Sequence, residues 1–103
     1  MAPASGWNGK GKLSKSGGVV SGVMDLSKSS YINEGDAIGT LPEGFRPAMN
    51  TTAIMSSTIE GNSGYAYVDI GADGRMTLVM IIWKPGVSPA PKGVAGCFAF
   101  PAA

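Results

Sequence analysis

A chain of 103 residues with 15% charged side chains, a formal net charge of +1, one cysteine and no histidine leaves few function classes open. The length admits one domain with a modest core. The near-neutral balance gives no footprint for nucleic acid or an anionic membrane, the missing histidine removes Ser-His-Asp and Cys-His catalysis, and a lone cysteine cannot close an intrachain disulfide.

Sixteen Gly and seven Pro, with few of the charged residues that fill exposed helix faces, point to an all-β chain. Residues 1–18 are rich in Gly, Ser and Lys without a period and read as a flexible leader or a link to an upstream shaft, leaving 19–103 as the folded domain. Lys10, Lys12 and Lys15 belong to that solvated stretch. Gly9-Lys10-Gly11-Lys12 has neither the preceding strand nor the following helix of a phosphate-binding loop. Trp7 is the exception there, and its ring is expected to pack on the base of the domain or on a neighbouring subunit. Met1 to Gly6 lacks the charged and apolar regions of a signal peptide, and no apolar run approaches the length that spans a bilayer, so synthesis in the cytoplasm without membrane insertion is expected.

From Gly18 the pattern changes. Val20, Met24 and Leu26 alternate with Val19, Val23 and Asp25 around Gly22, predicting a strand of about eight residues in which the glycine marks a bulge or a close approach. Ser27 to Gly35 is a polar loop holding Tyr31 and Asn33, of the kind that carries recognition on a β scaffold. Asp36 to Leu41 is a short extended run. Pro42 and Pro47 then make the intervening residues a turn or an edge crossing, with Phe45 plugging the end of the core and Arg46 holding the corner by hydrogen bonds.

Thr51 to Ile59 reads as a strand, stopped by a hairpin loop over Glu60 to Gly64 that contains Asn62. In the next strand Ala66, Val68 and Ile70 share one face and Tyr65, Tyr67 and Asp69 the other. Asp73-Gly74 is the strongest hairpin signal of the chain. The returning strand, Arg75 to Trp83, is apolar on both faces: Met76, Leu78, Met80 and Ile82 on one, Val79, Ile81 and Trp83 on the other. One face fills the core, and the second, with Val79, Ile81 and Trp83, is expected at a subunit interface. Lys84 to Lys92, with three prolines, is a loop, and Val94 to Phe100 is a last strand in which Cys97 is expected as a small buried hydrophobe.

Little of this composition is reactive. The seven acids sit mostly beside turn residues, with Asp25, Asp36, Asp69 and Asp73 at strand ends or turns, so no carboxylate pair can be placed for glycoside cleavage. No Cys/His cluster supports a transition metal and no cofactor is expected; no known calcium-loop spacing is present either, which leaves only an irregular calcium site of loop carboxylates and carbonyls open. The remaining binding candidates are aromatic faces with neighbouring amides, Tyr31, Tyr65 and Tyr67 with Asn33 and Asn62. Tyr65 and Tyr67 could equally pack between subunits.

Gly39 to Pro47, containing LPEGFRP, and Val68 to Leu78, of the form V-x-I-x-x-D-G-x-h-x-h, together resemble the C-terminal head domain of phage tail-fibre and baseplate proteins. The resemblance runs over roughly Val19 to Pro101. It implies an antiparallel β-sandwich of jelly-roll or Greek-key type, assembled as a homotrimer at the virion tail and ending a longer fibre chain. Its partner would be a bacterial cell-surface saccharide or protein. The alternative in another class is a structural trimerisation or capping module that binds no receptor, and a depolymerase is a third.

Overall fold

The structure is a computed structural model that describes residues 2–4, 6–28, 34–59, 62–83 and 93–103, with only the backbone given for Ala2, Thr58, Ile59, Asn62, Ser63 and Trp83. Eight strands follow one another in the chain: β1 (Ala2–Pro3), β2 (Trp7–Ser16), β3 (Val19–Lys28), β4 (Ala37–Thr40), β5 (Thr51–Ile59), β6 (Asn62–Ile70), β7 (Arg75–Trp83) and β8 (Gly93–Pro101). They form one antiparallel sheet in the order β1-β4-β7-β6-β5-β8-β3-β2, rather than the two packed sheets of a sandwich. The two ends of that order are consecutive in the chain. Trp7 N–H donates to the Ala4 carbonyl at 2.9 Å and Ala4 N–H to the Ile38 carbonyl at 3.1 Å, so the sheet curls into a nearly closed barrel whose inner faces make the core.

Period-2 patterning puts the expected side chains inside. Val20, Met24 and Leu26 of β3, Ala66, Val68 and Ile70 of β6, and Met76 and Leu78 of β7 are all buried. Gly22 marks a close approach: a Cβ there would lie 2.5 Å from Phe98 Cζ and 2.9 Å from Leu13 Cδ2. β6 begins three residues earlier than the alternation of its tyrosines indicates, with Asn62 paired to Ile59.

Three further features differ from the sequence reading. The stretch read as a leader holds β1 and β2, and β2 pairs with β3 along all ten of its residues. Its composition hides this because only Trp7 and Leu13 carry apolar bulk to the inside. Trp7 is 7% exposed within the core, and Leu13 packs against it. The three lysines of β2 suit an edge strand, where charge opposes pairing with a foreign chain.

Cys97 is exposed rather than buried. The apolar run of β8 gives no alternation to assign its faces, but Val94, Phe98 and Phe100 take the inner positions and leave Cys97 on the outer face opposite Val23. The third difference is in β7, whose two-faced alternation breaks at a bulge: Tyr67 pairs with Met80 while Val68 pairs with Leu78, leaving Val79 unopposed. Beyond it the faces exchange. Ile81 packs against the core, and Met80 and Ile82 turn outward.

Candidate functional site

The two sequence motifs meet in space. Thr40 and Gly39 pair with Arg75 and Met76, and Leu41 N–H donates to the Gly74 carbonyl at 2.8 Å. The corner beyond is held as its residues require: Phe45 N–H donates to the Pro42 carbonyl, Arg46 Nε to the Leu41 carbonyl at 3.2 Å, and Pro47 bridges to Ala102. Phe45 is half-buried against the core. In the turn, Gly74 N–H donates to the Gly71 carbonyl, Arg75 N–H to Asp73 Oδ1, and Gly74 has φ +88°. Lys15 of β2 reaches the same corner, its Nζ donating to the Gly44 carbonyl at 3.1 Å. This end of the barrel is therefore locked by backbone and side-chain hydrogen bonds.

The opposite end is where β3, β5, β6, β7 and β8 terminate or begin at Lys28, Ile59, Asn62, Trp83 and Gly93, as their registers require. Tyr31 and Asn33 lie outside the described residues. Asn62 starts β6. On this rim Lys28 Nζ pairs with Asp36 Oδ2 at 3.0 Å and sits 5.6 Å from the Trp7 ring centroid, tying β3 to the entry of β4 and to the start of β2.

Between the two ends, the outer face of β5, β6 and β7 carries cross-strand rows that the register defines. One row is Ile54, Tyr67 and Met80; the next is Ser56, Tyr65 and Ile82. Ile54 is 62% exposed, Tyr65 64%, Ile82 42% and Met80 39%, with unopposed Val79 at 41%. Large apolar side chains thus stand side by side on this face, in rows that the register defines. Of the residues expected at a subunit interface, Val79 is on this side and Ile81 is on the inside, while Trp83 is described only in its backbone. Ile54, Met80 and Ile82 also stand exposed on this face. Only strand register brings them beside Tyr65 and Tyr67.

Two residues further along the same face the chemistry turns polar. Asp69 pairs with Thr77 and receives the Thr52 hydroxyl at 2.7 Å, and Asn50, Asp73 and Arg75 complete a shallow hollow beside the turn. Among the described residues no group of three or more His, Cys, Asp or Glu could hold a metal ion. A second, largely apolar depression on the outer face of β2, β3 and β8 is lined by Lys12, Val23 and Cys97.

No family model matches the sequence, and no curated protein matches it. Among solved structures, the head domain of phage bIL170, described among the receptor-binding domains of lactococcal phages, superposes with a TM-score of 0.71 at 15% sequence identity. The match covers 100% of this chain and 94% of that one, so the two share a fold throughout, with β1 and β2 included.

Proposed function

We propose that this chain is a receptor-binding head domain of a phage tail-fibre or baseplate protein, carried on the virion tail after synthesis in the host cytoplasm. It attaches to a saccharide of the bacterial surface and catalyses no reaction. The observation that carries this reading is the whole-chain likeness of fold to the phage bIL170 head domain. The outer face of β5 to β7 supports its assembly as a homotrimer. Rows of half-exposed Ile, Met and Tyr are costly in water at about 25 cal/mol per Å² of apolar surface, and a symmetric partner would remove that cost. Three copies on one tip raise effective concentration, so that weak single sites give firm attachment.

The test is binding of fluorescently labelled domain to intact bacterial cells of candidate hosts, with light scattering to fix its mass. Saturable labelling of one host by a species of three times 10.4 kDa is the expected result. A monomer would remove the trimer. A trimer that labels no host, where the parent fibre does, would favour the capping module, which the apolar rows support equally well.

A further inference from the structure

The apolar rows stop short of the β6 to β7 turn, and the hollow there has a different composition. Its side chains are held from below. Asn50 Oδ1 accepts the Ala72 N–H at 2.9 Å, leaving the amide nitrogen of Asn50 as a donor. Asp69 Oδ1 accepts the Thr52 hydroxyl, leaving Oδ2 as an acceptor. Asp73 Oδ1 is committed to the Arg75 N–H at 3.0 Å. The Arg75 guanidinium, by contrast, has no hydrogen-bond or ion-pair partner among the described residues, although it shares the hollow with two aspartates. A preset acceptor, two uncommitted donor groups and the Thr77 hydroxyl thus converge on one patch.

We propose that this hollow binds a neutral, hydroxyl-rich ring of pyranose type, an inference that rests on the receptor-binding reading above and locates its site. Adjacent hydroxyls of such a ring can donate to Asp69 while accepting from Arg75 and Asn50, which uses both capacities of each hydroxyl. Charge selects against the alternatives. Two carboxylates stand against one guanidinium, so a phosphate or uronate would meet net repulsion, while an apolar ligand would strand the polar groups.

The test is a titration of the isotopically labelled domain, followed through its backbone amides, with glucose, galactose, N-acetylglucosamine and N-acetylgalactosamine, and with glucuronate and inorganic phosphate as anionic probes. At least one neutral sugar is expected to give saturable shifts confined to residues 50–52 and 67–77. Asp69→Asn and Arg75→Ala should each weaken that response at least tenfold while leaving the rest of the spectrum in place. Absence of saturation at these residues with every neutral sugar, or stronger binding of either anion, would overturn the proposal. Host-cell labelling separates the two readings. A wild-type domain that labels no host defeats the receptor-binding function, whereas labelling that survives both substitutions undiminished defeats the hollow alone.

Discussion

Replacing Gly74 by Ala tests whether the corner and the hairpin turn lock one another. Two costs arise there. The first is conformational: φ is +88°, a region where a side chain costs roughly 1–2 kcal/mol. The second is steric, because a Cβ would stand 2.6 Å from the Leu41 carbonyl oxygen and 2.7 Å from Arg46 Nε. That carbonyl is backbone and itself accepts from Arg46, while the Leu41 N–H donates to Gly74, so neither atom can give way without straining a hydrogen bond worth about 0.5–1.5 kcal/mol. Gly74→Ala is therefore expected to destabilise by about 2–5 kcal/mol. Gly44 supplies the control, since its φ is +93° but nothing lies within 4 Å of its would-be Cβ. Gly44→Ala should cost only the conformational part, about 1–2 kcal/mol. Urea unfolding followed by tryptophan fluorescence measures both, and their difference should be at least about 1 kcal/mol, equivalent to roughly 4–8 °C in Tm for a domain near this size. Equal losses for the two variants would refute the interlock.

Three further outcomes follow from the barrel. Trp7→Ala removes a buried aromatic and should destabilise by about 3–5 kcal/mol in the same assay; deletion of residues 1–16 should abolish cooperative unfolding, and a stable deleted domain would show that β2 is dispensable. Ile81→Asp places a carboxylate against the core and should prevent folding, whereas Ile82→Asp, on the outer face, should leave the fold intact and lower the mass seen by light scattering; the reverse pattern would mean that the bulge at Val79 is absent. Cys97 should react with a maleimide in the native protein within about tenfold of its rate in urea, since the thiol is exposed, and strong native protection would place it back in the core or at an interface.

Strands were legible through β-branched composition at Thr51 to Ile59, through the Asp73-Gly74 turn signal ahead of Arg75 to Trp83, and through period 2 in β6. Thr51 to Ile59 and Arg75 to Trp83 have the same bounds in sequence and structure, and the tyrosines of β6 fall on the outer face opposite Ala66, Val68 and Ile70. The corner was legible for another reason: two prolines fix the backbone locally, and the Arg46 hydrogen bond follows within five residues. What could not be read was whatever depends on a partner strand. β2 has almost no apolar period, and its ladder with β3 and the inward turn of Trp7 and Leu13 define it. Cys97 sits in a run with no polar residue to mark the outside. The polar hollow was hidden in the same way: Asp69 and Asp73 each have a local explanation, and only register sets Asp69 beside Thr77 and brings Asn50 and Arg75 to them.

The bulge at Val79 connects these local rules to the surface on which the proposed function depends. With unbroken alternation, Met80 and Ile82 would follow Met76 and Leu78 inward, and Val79 and Ile81 would stand outside. The extra residue reverses this. It gives Tyr67 and Tyr65 the neighbours Met80 and Ile82, and it keeps Ile81 inside, where it completes the core behind Ala66. A bulge gives up regular ladder pairing at one residue, so its persistence must be compensated by packing on one or both faces. Ala66 shows how. It is the smallest inward side chain of β6 and is fully buried, leaving room for the branched Ile81 directly opposite. The inner face thus holds the bulge in place, and the outer face inherits an apolar surface that ends where Thr77 and Asp69 begin. Assembly and recognition would then occupy adjacent stretches of the same two strands, with the boundary between them set by one unpaired residue.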